Sequence, residues 1–192
     1  MSLAGCGAAE EPAAPAPDMT EVADCLILVW QNQPARNEEF DRAHDRADGG
    51  AISCATGTSA SQFESALAAI RAAARSGDRL TLLDQLGVPL LYIDAAGERR
   101  EVRREDLANE LFDEIFDRET IDLLSRVRLE DLTVVADEGA FVELGAVWLV
   151  VDRKGGRPRI ATVNRQALGE ALEAARKAAE EGQTRPAPMR EP

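Results

Sequence analysis

Apolar residues recur at helical spacing through the first 126 positions, interrupted by one hairpin pattern, and then switch to strand-like runs over 129–164. In residues 20–33, Val22, Cys25, Leu26, Val29 and Trp30 share one helical side, although Leu26-Ile27-Leu28-Val29 also reads as a buried strand. The helix is favoured, with Thr20 as its N-cap and Pro34 ending it. Residues 35–48 are polar and helix-tolerant, and 51–60 form a small-residue loop carrying Cys54. Ser61-Gln62-Phe63-Glu64 has the composition of a capping box, and Phe63, Leu67, Ile70 and Ala74 follow on one face. Asp78 can cap a short second helix running to Leu86. Residues 88–94 read as a strand, 95–98 as a turn and 99–102 as its polar partner. Residues 104–116 form an amphipathic helix with Leu107, Leu111, Phe112, Ile115 and Phe116, followed by a helical stretch over 119–126. Three strands follow at 129–136, 141–151 and 159–164. The short turns Asp137-Glu138-Gly139 and Arg153-Lys154-Gly155-Gly156 favour an antiparallel meander. A last helix spans 166–182, with Leu168 and Leu172 on one side.

Composition narrows what such a chain can do. Of 192 residues, 45% are hydrophobic, enough for a packed core, and a block of strands after helices argues an α+β domain. The net charge of −13 makes a phosphate-neutralising surface a poor expectation, so no nucleic-acid partner is expected. The longest unbroken apolar run, 25–30, is too short to span a bilayer. One histidine, three cysteines and no CxxC spacing give no expectation of a metal centre, and no cofactor is expected. Residues 7–18, rich in alanine and proline, read as a flexible linker, and 183–192 as a disordered tail.

Just ahead of that linker, Leu3-Ala4-Gly5-Cys6 resembles the lipobox of bacterial lipoproteins. The resemblance implies that residues 1–6 are a lipobox remnant and that Cys6 carries a diacylglyceryl group. The protein would then sit in the bacterial cell envelope, held at the membrane surface by a lipid anchor and facing the periplasm. In that oxidising compartment, with Cys6 lipidated, Cys25 and Cys54 are left to pair and would staple a segment spanning 19–60. The other reading is two ordinary buried thiols.

Over residues 61–165 the element order is helix-helix-strand-strand-helix-strand-strand-strand. It includes Val88-Pro89-Leu90, Asp113-Glu114-Ile115-Phe116, Leu144-Gly145-Ala146-Val147-Trp148 and Ile160-Ala161-Thr162-Val163-Asn164. This resembles the ketosteroid-isomerase and nuclear-transport-factor superfamily. It implies a curved antiparallel sheet wrapped around N-terminal helices into a cone with a pocket, and an open sheet face through which a homodimer can form. The scaffold hosts both enzymes and binding domains. The steroid isomerases' helix-borne tyrosine is not matched by Tyr92, which lies in a strand, and His44 precedes the matched region. Glu143 is the candidate acid or base, pointing either into the cone or to solvent. Tyr92, Phe112, Phe116, Trp148 and Asn164 are candidate pocket residues; the other reading of the aromatics is core. Asp41, His44, Asp45 and Asp48 fall on one side of a helix and read as a solvated charged face. Arg99, Arg100, Arg103 and Arg104 form a basic patch interleaved with acids. The expectation is a non-catalytic envelope lipoprotein binding a small apolar ligand or an envelope protein. The alternative is a soluble isomerase- or cyclase-type enzyme with Glu143 or Asp94 working inside the cone.

Overall fold

Residues 19–109 and 111–184 are described by a computed structural model. The ambiguous run around Leu26 folds as a helix, α1 (Met19–Trp30), which buries Leu26, Val29 and Trp30 and turns Ile27 and Leu28 outward. The polar stretch after it condenses to α2 (Glu38–His44), whose first turn is capped by Asn37 Oδ1 accepting from the Phe40 amide at 3.2 Å. A two-residue hairpin follows, β1 (Arg46–Ala47) and β2 (Gly50–Ala51). It turns at Gly49, where φ is +87° and a Cβ would stand 2.2 Å from the Val134 carbonyl oxygen, so no larger residue fits. The expected loop over 51–60 instead contains a helix, α3 (Ile52–Thr56), which buries Ile52.

Helix α4 (Ala60–Ser76) buries Phe63, Leu67, Ile70 and Ala74, as its spacing predicts. The expected capping box does not form. Ser59 is the N-cap residue, the Ser61 amide is taken by a carboxylate from α2, and Glu64 pairs with Arg71 at 2.6 Å. Helix α5 (Arg79–Leu83) is capped by Asp78, which accepts from the Thr81 amide. The segment expected as one helix over 104–116 is two, α6 (Arg104–Asn109) and α7 (Phe112–Ile115). After the break, the Phe112 and Phe116 rings lie tilted against each other at 5.0 Å between centroids. Helix α8 (Arg118–Arg126) is capped by Asp117.

The sheet has six strands: β3 (Leu86–Ile93), β4 (Arg99–Val102), β5 (Thr133–Val135), β6 (Gly139–Val142), β7 (Val147–Val150) and β8 (Arg159–Asn164). Their order is β4-β3-β8-β7-β6-β5, an open sheet with β4 and β5 at its edges. The all-antiparallel arrangement expected from the sequence is corrected here, because β3 pairs parallel with β8. The physical reason lies in β3 itself. Leu86, Leu90, Tyr92 and Ile93 are all buried, so it needs a neighbour on each side, and the charged Arg99-Arg100-Glu101 strand suits only an edge. The run over 141–151 is also not one strand. A tight 3-10 turn at Glu143–Gly145 folds it into the hairpin β6–β7.

Alternate strand residues face a single core with α4 and α8: Leu90, Tyr92, Val102, Val142, Val147, Leu149 and Val163 pack with Phe63, Leu67, Leu123 and Leu124. Phe141, Trp148 and Val150 occupy the intervening positions on the other face. Helix α9 (Arg165–Thr184) starts directly from β8, with Asn164 Oδ1 accepting from the Ala167 amide. It buries Ala167, Leu168 and Ala171, and residues 173–180 are exposed. The domain is thus α+β, as the pattern predicts.

Candidate functional site

The densest buried polar chemistry lies where the N-terminal segment meets the domain. Trp30 ends α1 with its indole inside the protein, and a buried indole N–H needs an acceptor. Asp41, fully buried on α2, supplies it: Trp30 Nε1 donates to Asp41 Oδ2 at 2.8 Å. The other oxygen accepts from the Ser61 amide at 2.7 Å, so an acid from a different helix satisfies a free N–H in the first turn of α4. One turn further along, Asp45 accepts from the Ser53 amide at 2.8 Å and the Ser53 hydroxyl at 2.6 Å. Gln33, also buried, donates to Ser59 Oγ at 3.1 Å, and Thr58 Oγ1 donates to the Gly156 carbonyl at 2.7 Å. Immediately after Ser53, Cys54 is disulfide-bonded to Cys25 with a Cα–Cα distance of 5.1 Å.

Burial pushes the Asp45 carboxyl up to about 6, against the two Ser53 hydrogen bonds, which pull it down. Nearby Asp41 adds to the rise and Arg46 opposes it. The reading of Asp41 and Asp45 as a solvated face is therefore corrected: both are buried, whereas His44 and Asp48 are exposed. Sequence reasoning missed this pair because the amides that satisfy it lie 8 and 20 residues away. The available signal was Trp30 with an indole to satisfy, beside a serine- and threonine-rich stretch at 53–61.

The candidate pocket residues separate. Tyr92, Phe112 and Phe116 are buried in the common core. The Arg100 guanidinium lies 5.0 Å over the Tyr92 ring and pairs with Glu114, which ties α7 to the strand hairpin. Burial, with the Glu114 charge second, raises the Tyr92 pKa. Arg165 closes the same end, with Nη1 2.6 Å from Asp117 Oδ2 and Nη2 3.4 Å from Glu119. Trp148 lies on the opposite sheet face against Phe141, at 4.9 Å between ring centroids, and Asn164 is the α9 cap. Asp94 spends its side chain on the amides of its own turn, Ala96 and Glu98.

Glu143 stands in the β6–β7 turn, its side chain 44% exposed, with Oε1 3.8 Å from Arg126. It borders an open cavity of about 650 Å³ with Leu123, Arg126, Arg128 and Asp131. Glu143 and Leu144 both have positive φ, 48° and 55°, and Leu144 is 67% exposed. Left-handed backbone is costly for residues with a Cβ, and little burial is lost at so exposed a site. Leu144→Gly is therefore expected to stabilise the protein by about 0.5–1 kcal/mol in urea unfolding. A destabilised variant would mean that the Leu144 side chain itself holds the turn.

The basic patch is only partly free: Arg100 is held by Glu114 and Arg104 by Asp84. The His44 ring stacks on Phe40 at 4.1 Å, with Nδ1 2.9 Å from the Phe40 carbonyl. Among the described residues, no group of three His, Cys, Asp or Glu side chains could hold a metal ion, and no helix is long and apolar enough to cross a membrane. Cys6, the linker 7–18 and residues 185–192 lie outside the described residues. No family model, no curated protein and no solved structure matches this chain.

Proposed function

We propose that the protein is a non-catalytic bacterial cell-envelope lipoprotein, anchored through Cys6 and the 7–18 linker, whose cone-type domain binds an envelope protein. The carrying observation is the Cys25–Cys54 disulfide, which joins the helix after the linker to the domain. Such bridges persist in oxidising compartments and are rare in reducing ones. The ketosteroid-isomerase-like reading of the scaffold draws support from the helices covering one face of a six-stranded sheet. A protein partner is favoured over a small apolar ligand, because Phe63, Leu67, Ile70, Tyr92, Phe112 and Phe116 fill the space between helices and sheet. The other face offers Phe141, Trp148 and Val150 beside the exposed Leu144, a surface for an envelope protein or a second copy. The enzyme alternative needs a carboxylate inside the cone, whereas Glu143 faces Arg126 and Asp94 holds its own turn.

Mass spectrometry of the native protein, expressed from its gene with upstream sequence included, tests the reading. The expected product begins at Cys6 with a diacylglyceryl group and contains a Cys25–Cys54 linked peptide. A chain that keeps residues ahead of Cys6 and has three free thiols overturns it and moves the enzyme reading to first place.

A further inference from the structure

We propose that the junction of α1, α2 and α3 is a proton-operated clasp, closed on α1 when Asp45 carries a proton and loosened when Asp45 ionises. The proposal goes beyond the function proposed above and does not depend on it. Its basis is a cluster: two buried carboxyls, Asp41 and Asp45, one turn apart on one side of the chain, Asp41 accepting one hydrogen bond each from α1 and α4 and Asp45 accepting two from α3. Asp41 holds the last residue of α1 through the Trp30 indole, and Asp45 holds α3 through Ser53, next to the disulfide that returns to α1. Whatever weakens this pair weakens the seat of α1.

Burial makes the ionisation of Asp45 costly, and the charges around it oppose one another. From α2, Asp41 faces it as a like group, and from β1 Arg46 is the cation that acts on it. α3 contributes the neutral Ser53 hydroxyl and amide, whereas the Trp30 indole of α1 and the Ser61 amide of α4 are spent on Asp41. The other ionisable groups nearby are engaged elsewhere: His44 on Phe40, Arg42 over the Trp30 ring at 4.8 Å and on Glu38, and Glu64 with Arg71. A buried carboxylate beside a second acid and one cation is poorly compensated. The protonated form keeps the Ser53 amide as a donor at 2.8 Å, while the Ser53 hydroxyl, which donates to the ionised carboxyl at 2.6 Å, must turn its hydrogen away to accept the new proton.

The direction follows from linkage. The carboxyl is pushed up to about 6 when buried, from 3.8 when free, so the closed form binds the proton more tightly than the open one. Closure is strongest at acid pH and weakens as pH rises through about 4 to 6. That rise in pKa sets a ceiling of about 100-fold, and because part of the change falls below the pH range of the test, about ten-fold is expected within it.

The test is native-state hydrogen exchange on the oxidised full chain from pH 4.5 to 7.5, expressed as opening constants, with β8 amides as internal reference. The opening constant of α1 and α3 amides is expected to rise about ten-fold across this range while β8 stays constant. Asp45→Asn, which keeps an acceptor for the Ser53 amide, is expected to remove the dependence and leave α1 closed throughout. Ser53→Ala removes a hydrogen bond that favours the ionised form, so its midpoint is expected to move to higher pH. The proposal is overturned by α1 opening that is independent of pH, by a pH dependence that survives Asp45→Asn, or by one shared equally by β8. If Asp45→Asn does not fold, an unmoved midpoint in Ser53→Ala overturns it alone.

Discussion

Replacing Cys25 and Cys54 together with serine is expected to lower the unfolding free energy by about 3–4 kcal/mol in the chain-entropy model. The bridge spans 29 residues, and without it the unfolded chain regains the freedom that the link removes. For a domain of this size the loss corresponds to a fall in melting temperature of roughly 10 °C. The double variant is the right comparison, since a single one leaves a lone thiol. Urea unfolding checks the value, and a reducing agent should lower the wild type to the level of the variant and leave the variant unchanged. A loss below about 1 kcal/mol would mean that Trp30, Gln33 and Asp41 seat α1 without covalent help. The bridge and that network are neighbours around Ser53, so their contributions are not expected to add.

The legible parts of this fold are those whose signal is local. The face Phe63-Leu67-Ile70-Ala74 follows from helical spacing, the β3–β4 hairpin from an apolar run, a turn and a charged run, and the cap Asp78 from its place before a helical pattern. The cysteine pairing was legible from counting, given a role for Cys6. The rest depends on contacts distant in sequence. Nothing near Leu91 or Thr162 announces that they pair in parallel, because that register is set by the chain between them. The break at Glu143–Gly145 was hidden because apolar residues continue on both sides and only Gly145 is a turn former. Tyr92 and Trp148 were grouped as pocket aromatics, yet strand parity puts them on opposite faces of the sheet. The buried acids were missed for a related reason: a charged residue in a polar stretch reads as solvated unless the donors that pay for its burial can be named, and here they come from other elements.

The second large effect concerns the space between α4 and the sheet. Phe63 is fully buried there, and Phe63→Ala is expected to cost about 3–5 kcal/mol, the lost transfer energy of the ring plus a cavity that its neighbours only partly fill. Against a typical total stability of about 5–15 kcal/mol this is a large share, and the variant is expected to unfold at markedly lower urea concentration with an unchanged slope. The same variant separates the two uses of the scaffold. If the wild-type interior is core, small apolar probes do not bind it, and the variant gains a dry cavity that takes a benzene-sized one. If the interior is instead a ligand site, the wild type binds such probes already, and Phe63→Ala loses little stability because the side chain was lining a pocket. A loss under about 1.5 kcal/mol together with probe binding by the wild type would favour a small apolar ligand over a protein partner.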